Sequence, residues 1–250
     1  MKLAWESQGD GSPVLLVHGL GYTRQGWGPL PGLLARRYRV VSYDNRGIGE
    51  SEVPPGPYTV DELAADAVQV LDEAGLERAH VLGASLGGMV AQLLAAEQPD
   101  RVDRLILAGT TPGGPCAYPL PRQTLALMAQ AASLPPDVAL RRFVENALAP
   151  GSAFVDEVYA YRQQHPPDPA GWAAQAAAGA AWDADGRLAR ITAPTLVVAG
   201  TADAVVDPRN ATLLAEAIPN AQLELVDGAG HLPFWERAGQ FASLVERFLG

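Results

Sequence analysis

The sequence predicts an α/β protein with a mostly parallel sheet that is covered by helices on both faces. Short apolar and β-branched runs end in glycine-rich turns, and stretches with helical spacing separate them. This alternation of strand and helix patterns requires crossover connections between parallel strands. Crossover helices lie on the faces of such a sheet, so we expect both faces to be buried.

The first half of the chain carries the alternation most clearly. Apolar runs that end in glycine turns occupy residues 14–21, 38–47, 79–85 and 103–110. Residues 59–75 have helical spacing, with Thr59 and Glu62 placed as a capping box and Gly75 as the helix-ending residue. We therefore expect a crossover helix between the second and third of these strands.

The alternation stops after Gly114 and resumes near residue 191. The intervening segment is rich in alanine and proline, and its spacing predicts helices over residues 121–132, 136–149, 153–164 and 169–181. Strand patterns return in "APTLVVAGTAD" and "AQLELVDGAG", and an amphipathic helix is predicted over residues 234–249. The sequence thus predicts one α/β core from residues 1–114 and 191–250, with residues 115–190 inserted as a helical cap.

Composition narrows the classes of partner. The formal net charge of −10 disfavours nucleic acids and anionic membrane surfaces. A single cysteine, Cys116, excludes an internal disulfide and supplies no thiolate metal cluster. Neither a secretory leader nor an apolar run of membrane-spanning length is visible, so the expected location is the cytoplasm.

The stretch "GASLG" at residues 83–87 is the first candidate for chemistry. Glycine inside a strand or helix costs roughly 0.5–1 kcal/mol relative to alanine, so these glycines must permit a geometry that side chains forbid. A sharp strand-to-helix turn brings Gly83 and Gly87 together and exposes Ser85 at the carboxyl end of a strand, where parallel sheets bind ligands. Ser85 is therefore a candidate nucleophile. The plainer interpretation is a glycine-rich turn whose serine caps the helix.

A serine hydroxyl needs a base to become a nucleophile, and the best candidate is His231. This residue follows a predicted strand in "LVDGAGHLPFWE", where glycines allow the loop to curve back toward the sheet edge. The other histidines are less well placed. His165 lies between cap helices, His80 begins the strand before Ser85, and His18 lies in an early glycine turn.

The base in turn needs a carboxylate to orient it, and Asp203 is the best candidate. It comes just after the strand predicted at residues 195–199, at the sheet edge where His231 is expected. Two alternatives remain. Asp207 precedes a proline and is typical of a turn or a helix start, and Asp227 ends the next strand.

Acyl transfer also requires two donors for the oxyanion of the tetrahedral intermediate. The backbone N–H of Leu86, the residue after the candidate nucleophile, is one expected donor. The N–H of Leu20 in "VHGLG" is the other, because the neighbouring glycines allow the loop after the first buried strand to turn inward. We expect His18 to brace this loop rather than to act as a second base.

Taken together, these motifs resemble the α/β-hydrolase family over nearly the whole chain. The likeness rests on "HGLG", "YDNRGIGES", "GASLGG", "APTLVVAGTAD" and "GAGHLPFWE", in this order. The resemblance implies an eight-stranded, mostly parallel sheet, a helical cap over the active site, and no metal or cofactor. It also makes Asp44 and Arg46 a structural ion pair rather than catalytic groups.

Within the family, the chain is most similar to the 3-oxoadipate enol-lactonase group and related small carboxylesterases. This likeness implies a serine hydrolase that cleaves an ester or lactone bond of a small molecule through an acyl-enzyme intermediate. Relatives that cleave C–C bonds or make peracids are alternatives, and so is a hydrolase-shaped protein that binds a ligand without turnover. Ser85 argues against haloalkane dehalogenases and epoxide hydrolases, which use aspartate at this position.

The cap is expected to determine substrate specificity. Apolar side chains from the cap and from the turns near Ser85 are candidates for the pocket wall, and packing between elements is their alternative role: Trp27, Met128, Phe143, Trp182 and Phe234. Four cap arginines are candidates for binding a substrate carboxylate, with surface solvation as the alternative: Arg122, Arg141, Arg142 and Arg162.

Overall fold

A single sheet of seven strands forms the centre of the computed structural model, which describes residues 1–250. The strands are β1 (Trp5–Gln8), β2 (Ser12–Val17), β3 (Tyr38–Tyr43), β4 (Ala79–Ala84), β5 (Val102–Ala108), β6 (Thr195–Gly200) and β7 (Ala221–Val226). Their order across the sheet is β1-β3-β2-β4-β5-β6-β7. All neighbouring strands are parallel except β1, which pairs antiparallel with β3.

Helices cover both faces of the sheet, as the alternating pattern predicts. The helices of the core are α1 (Leu30–Leu34), α2 (Val60–Glu73), α3 (Leu86–Glu97), α8 (Arg209–Ala217), α9 (Pro233–Glu236) and α10 (Ala238–Leu249). Leu15 and Val17 of β2 pack in one buried cluster with α2, α3 and α8, whereas Val14 and Leu16 pack in a second cluster with α1 and α10. Successive residues of a strand point to opposite faces, so one buried strand serves two cores.

Seven strands replace the eight that the family resemblance implies. Six of them follow the apolar runs of the sequence, and β1 was not predicted. Its sequence "WESQ" is polar and mostly exposed at the sheet edge, where only the pairing with β3 identifies it as a strand. An edge strand buries neither face fully and therefore leaves a weak sequence pattern.

The predicted helix ends are confirmed at α2 and revised near the carboxyl terminus. The Thr59 side chain accepts a hydrogen bond from the Glu62 N–H, and the Glu62 side chain accepts one from the Thr59 N–H, which completes the capping box. The helix predicted over residues 234–249 is instead two helices, α9 and α10. Arg237 separates them with φ −133° and ψ 39°, a conformation outside the helical region.

The predicted ion pair between Asp44 and Arg46 is wrong, although both residues do form ion pairs. Asp44 is buried and accepts hydrogen bonds from Arg24, through the backbone N–H at 2.7 Å and Nη1 at 2.5 Å. Arg46 instead reaches α2, where Nε lies 2.6 Å from Asp66 and Nη1 lies 2.8 Å from Glu62. Two side chains separated by one residue point in different directions, and each finds its own partner.

The four predicted cap helices are present between β5 and β6. They are α4 (Arg122–Ala131), α5 (Pro136–Ala147), α6 (Val155–Gln164) and α7 (Pro169–Ala180). The name "cap segment" is used below for residues 115–190. Its helices join both buried clusters, α5 and α6 on one side and α7 on the other. None of the helices combines the length and the apolarity that a membrane crossing requires.

Candidate active site

Ser85 lies at the sharp turn between β4 and α3. It has φ 55° and ψ −121°, and it is the only residue other than glycine with a positive φ. Such a backbone conformation costs of order 1–3 kcal/mol, and surrounding contacts must impose it. Ser85 N–H donates to Ala108 O at 3.0 Å, and Thr110 Oγ1 donates to Ser85 O at 2.7 Å. The serine side chain itself is half-buried, with its hydroxyl in no hydrogen bond inside the protein.

The glycines that flank Ser85 permit close backbone approaches. A Cβ on Gly83 would lie 2.3 Å from the Gly87 oxygen, and a Cβ on Gly87 would lie 1.9 Å from the Val17 oxygen. Both distances are far below van der Waals contact with backbone that cannot move aside. Both glycines of "GASLG" are therefore required by the packing of β4, α3 and β2, and the approach of Gly83 to Gly87 is the one that the sequence predicts.

His231 and Asp203 form a buried, hydrogen-bonded pair. His231 Nδ1 lies 2.8 Å from Asp203 Oδ2, and the two side chains are 8% and 1% exposed. The second oxygen, Asp203 Oδ1, accepts the N–H groups of Val205 and Val206 at 2.8 and 2.9 Å. Because a carboxylate only accepts hydrogen bonds, this arrangement places the hydrogen on Nδ1 and leaves Nε2 free as a base.

The pair lies next to the strand end that holds Ser85. A Cβ on Gly109 would lie 3.1 Å from His231 Nδ1 and 3.4 Å from Asp203 Oδ2. Gly109 directly follows Ala108, whose carbonyl oxygen accepts the Ser85 N–H. Ser85 follows β4, Asp203 follows β6 and His231 follows β7, so the structure brings the three predicted residues together at one edge of the sheet, around the loop after β5.

The alternative acids are engaged elsewhere. Asp207 accepts hydrogen bonds from Arg209, and this guanidinium holds the pKa of the carboxyl below its usual value. Asp227 lies 3.3 Å from the Thr201 hydroxyl, which donates to it at an exposed turn. Only Asp203 contacts His231 among the three carboxylates.

The loop after β2 passes beside Ser85 and carries a free backbone donor at Leu20. A Cβ on Gly19 would lie 2.9 Å from the Ser85 Cβ, so the loop passes directly over the serine. The Gly19 N–H donates to His18 Nδ1 at 2.7 Å, whereas the Leu20 N–H has no acceptor inside the protein. Leu86 is the first residue of α3, and the N–H groups of a first helical turn lack partners within the helix. The sequence predicts these two N–H groups as oxyanion donors, and that role stays a prediction.

His18 is buried beneath this loop in an aromatic cluster. Its ring stacks on Tyr22 with centroids 4.7 Å apart and packs against Trp27 at 4.5 Å. Burial, together with a smaller effect of the nearby charge of Arg162, lowers the pKa of His18 from 6.5 to about 3. A neutral ring with Nδ1 accepting from Gly19 braces the loop, which agrees with the structural role that the sequence suggests.

The predicted pocket residues fall into three environments. Trp27 and Phe234 have no exposed surface and pack against each other with centroids 4.8 Å apart, so they support His18 from behind the loop. Met128 and Phe143 lie on the outside of the cap segment, 50% and 37% exposed. Trp182 is buried against Gly113 after β5. Contact of any of these side chains with a substrate stays a prediction, and for Trp27 and Phe234 it requires the packed cluster to open.

The four cap arginines also separate. Arg141 is paired with Asp156 at 2.8 Å and with Glu145 at 3.2 Å, and Arg122 and Arg142 are exposed. Arg162 of α6 is half-buried and has no carboxylate partner. Its Nη1 donates to the Gly21 oxygen at 2.5 Å, and its guanidinium carbon lies 4.4 Å from the centre of the Tyr22 ring. Arg162 is therefore the cap arginine that stands next to the candidate site.

Residues of the cap segment and of α9 also hold the site loops, and sequence analysis did not find them. Gln175 accepts the Gly21 N–H at 3.1 Å. The Glu236 carboxylate accepts the Gly230 N–H, next to His231, and the Ala149 N–H of the cap segment. The His231 N–H itself donates to the Ala147 oxygen at 2.8 Å. Such contacts join residues far apart along the chain, so no local motif could have revealed them.

The fold and this arrangement define a member of the alpha/beta hydrolase family. A family model for the alpha/beta hydrolase fold matches residues 12–238, and the chain belongs to this family. A relative from Cupriavidus pinatubonensis, the 2-hydroxy-6-oxononadienedioate/2-hydroxy-6-oxononatrienedioate hydrolase, is 32% identical over 252 residues. That match covers 95% of this chain and 86% of the relative.

Two solved structures have closely similar folds. The enol-lactonase from Burkholderia xenovorans LB400 has a TM-score of 0.86 at 29% identity, over 99% of this chain and 96% of that chain. A thermophilic esterase from Thermogutta terrifontis, solved with malate bound, has a TM-score of 0.84 at 30% identity, over 99% and 92% of the two chains. The relatives therefore share the fold while their names describe different hydrolytic reactions.

Proposed function

We propose that this protein is a serine hydrolase that cleaves an ester or lactone bond of a small molecule. The observation that carries the proposal is the buried His231–Asp203 hydrogen bond beside a serine held in a strained backbone turn. Nothing in the packing of the fold requires a histidine and a carboxylate to be buried together next to an unbonded hydroxyl. A nucleophile with its base and orienting acid does require it.

In the proposed mechanism, Ser85 Oγ attacks the carbonyl carbon while His231 Nε2 takes the hydroxyl proton. The carbonyl π electrons move to the oxygen, which the N–H groups of Leu20 and Leu86 stabilise. Asp203 keeps His231 in the required tautomer and stabilises its charged form. His231 then gives the proton to the leaving alkoxide, the C–O bond breaks, and a water activated by the same ring hydrolyses the acyl-enzyme.

Arg162 favours a substrate that carries a carboxylate. Its guanidinium is half-buried beside Gly21, faces no acidic side chain, and keeps donors free after its bond to the Gly21 oxygen. Guanidinium groups recognise carboxylates through charge-assisted hydrogen bonds. The similar esterase was solved with malate, which is a dicarboxylate, and another similar structure is that of an enol-lactonase. We therefore favour esters or enol-lactones of carboxylic acids.

Cleavage of a C–C bond is the second candidate reaction. It is favoured by the relative named for 2-hydroxy-6-oxononadienedioate, which is 32% identical to this chain. The same proposed serine, histidine and acid would serve either reaction, and peracid formation as well. A protein that binds a ligand without turnover is the remaining alternative.

Two measurements test whether Ser85 is a nucleophile. Wild-type protein should react with a fluorophosphonate probe and hydrolyse p-nitrophenyl acetate, whereas Ser85→Ala should do neither. Ser243→Ala, at an exposed position on α10, is the matched control and should behave as wild type. An unlabelled wild-type protein would contradict the proposal and favour ligand binding.

A substrate panel then identifies the bond that is cleaved. The panel contains an enol-lactone acid, a neutral lactone of equal size, a linear ester and a vinylogous diketone acid. The highest kcat/KM is expected for the enol-lactone acid. A preference for the diketone would replace the ester proposal with C–C hydrolysis, and equal rates on acid and neutral lactones would refute the role given to Arg162.

A further inference from the structure

Gln175 of the cap segment is fully buried and uses both ends of its side-chain amide. Its Oε1 accepts the Gly21 N–H at 3.1 Å, and its Nε2 donates to the Arg46 oxygen at 2.8 Å. The glutamine therefore links α7 to two separate loops of the core. A buried amide with both ends satisfied is a fixed strut, because rotating it would leave polar groups without partners.

The strut closes a ring of contacts around the loop that carries Leu20. Asn45 Nδ2 donates to the His18 oxygen at 3.0 Å, and Arg46 is the next residue along the chain. The ring therefore runs from His18 through Asn45 and Arg46 to Gln175 and back to Gly21. Both ends of the loop are tied to the same segment of the core.

Among residues 19–21 of this loop, one backbone donor is left unused. The Gly19 N–H is taken by His18 Nδ1 and the Gly21 N–H by Gln175, whereas the Leu20 N–H between them has no acceptor. An unused N–H at a half-buried position beside Ser85 can donate a hydrogen bond to an anionic oxygen. Because Gln175 binds the Gly21 N–H, the donor of the next residue is not available to compete for that oxygen.

Other cap residues hold the same loop. Arg162 Nη1 donates to the Gly21 oxygen, and a Cβ on Gly21, which has φ +71°, would lie 2.6 Å from Trp172 Cδ1. Tyr161 Oη accepts the Thr23 N–H at 3.1 Å. The cap segment thus contacts this loop at four places, through α6 and α7, and Gln175 binds the backbone N–H that directly follows that of Leu20 along the chain.

We propose that Gln175 is a positioning residue that orients the Leu20 N–H for the oxyanion, so that the cap segment forms part of the oxyanion hole. This inference rests on the proposed function, since it presupposes attack by Ser85. Donors fixed in advance stabilise a transition state without reorganising, and loss of one such donor typically costs about 10²–10³ in rate. A donor that is present but less firmly held should cause a smaller loss of rate than a donor that is absent.

The test compares Gln175→Met with Asn210→Leu. Asn210 of α8 is an equally buried amide that joins core to cap. Its Oδ1 accepts the Tyr118 N–H and its Nδ2 donates to the Tyr118 oxygen, and neither bond involves the loop that carries Leu20. Gln175→Met should lower kcat for p-nitrophenyl acetate about ten- to hundredfold with little change in KM. Asn210→Leu should leave kcat within about twofold, even where it lowers Tm as much.

Binding of a trifluoromethyl ketone distinguishes a positioning role of Gln175 from a merely structural one, because its affinity depends on the oxyanion donors. Ser85 Oγ adds to its carbonyl carbon, the proton goes to His231, and the new oxyanion needs the Leu20 donor. Its affinity should fall in Gln175→Met by the same factor as kcat/KM. A folded Gln175→Met with unchanged kcat and unchanged inhibitor affinity would overturn the proposal, and so would equal losses in Asn210→Leu.

Amide exchange in the wild-type protein tests the idea where Gln175→Met fails to fold. The Gly21 amide should be protected from exchange in free protein, while the Leu20 amide should become protected only with the trifluoromethyl ketone bound. A Leu20 amide that is protected in the free protein, or a Gly21 amide that exchanges freely, would refute it. Wild-type protein that neither binds the ketone nor reacts with a fluorophosphonate would instead refute the proposed function.

Discussion

At the scale of single residues, one carboxylate oxygen determines what His231 can do. Asp203 Oδ2 faces His231 Nδ1 while Oδ1 is held by two backbone N–H groups, so the carboxylate cannot rotate away. The ring must then carry its hydrogen on Nδ1. A neutral amide in place of Asp203 would present a donor to this nitrogen and favour the wrong tautomer.

Asp203→Asn should therefore lower kcat by about 10³–10⁴, as loss of the orienting acid does in a serine triad, while the protein still folds. Steady-state hydrolysis of p-nitrophenyl acetate measures the effect. Asp207→Asn is the matched control, because its carboxylate is four residues away and engaged with Arg209. If Asp207→Asn caused the larger loss, the assignment of the acid would be wrong.

Burial of His18 links stability to pH. Its pKa is about 3 in the folded protein and 6.5 when exposed, so between these values the unfolded chain binds a proton that the folded protein does not. Stability therefore falls as the pH drops from about 6.5 toward 3, by at most about 1.4 kcal/mol per pH unit from this residue. Above that range His18 is neutral in both states and contributes no dependence.

The non-titrating variant His18→Asn should flatten this dependence. Urea unfolding at several values between pH 4.5 and 6.5 should give a slope of unfolding free energy that is lower by up to one proton than in wild type. The slopes of the two proteins above pH 7.5 serve as the internal control and should coincide. Identical slopes in the acid range would show that His18 is protonated in the folded protein.

The positions of the candidate site residues could be predicted from the sequence where the motif is local, and their catalytic roles stay predictions. Ser85 is recognisable because glycines must flank a sharp turn, and His231 and Asp203 because each follows a strand at the same sheet edge. The partners of Asp44 and Arg46 were mispredicted, and Gln175 and Glu236 were not found. Their roles depend on which distant backbone atoms they meet, and spacing along the chain does not encode that.

At the scale of elements, the turn between β4 and α3 is held by backbone packed against backbone. The space for a side chain at Gly87 is occupied by the Val17 carbonyl at the end of β2. The turn therefore tolerates only glycine there, and the strain at Ser85 is sustained by three packed elements rather than by a local sequence preference.

Gly87→Ala should consequently destabilise the protein by about 3 kcal/mol or more, at the upper end of overpacking effects, or prevent folding. Gly239→Ala provides the matched control, because Gly239 is exposed in α10 with no atom within 4 Å of a new Cβ. That change should stabilise by about 0.4–1 kcal/mol. Urea unfolding measures both, and a Gly87→Ala protein as stable as wild type would contradict the packing described for this turn.

Most elements with a buried face were predictable from the sequence. The helices α2 and α5–α7 and the strands β2–β6 follow apolar patterns, because one face or both are buried. The edge strand β1 has no such pattern, and the break at Arg237 depends on how α9 packs. The helix α4 was predicted although only Thr124 of it is buried, so its sequence reports helix propensity rather than burial.

At the scale of the whole molecule, the helices of the cap segment differ in how much of their surface is buried. In α7, four residues are buried, including Ala174 and Gln175, and the helix packs in the same cluster as α2 and α3. In α4, only Thr124 is buried, and Leu125 and Met128 are about half exposed. A helix held by few buried contacts opens at a lower free energy than the global unfolding transition.

Amides of α4 should therefore exchange with solvent at least about tenfold faster than those of α7, while α7 exchanges at the rate of α2 in the core. Hydrogen-exchange mass spectrometry of peptides from the three helices measures this in the intact protein. The slower exchange of α7 has a second cause. This helix holds Gly21 through Gln175, so it cannot open without releasing the loop beside Ser85. Equal protection of α4 and α7 would mean that the cap moves as one unit. Protection of α4 above that of α7 would mean that the part of the cap in contact with the loop that carries Leu20 is the mobile one. The coupling of cap to core through Gln175 would then be wrong.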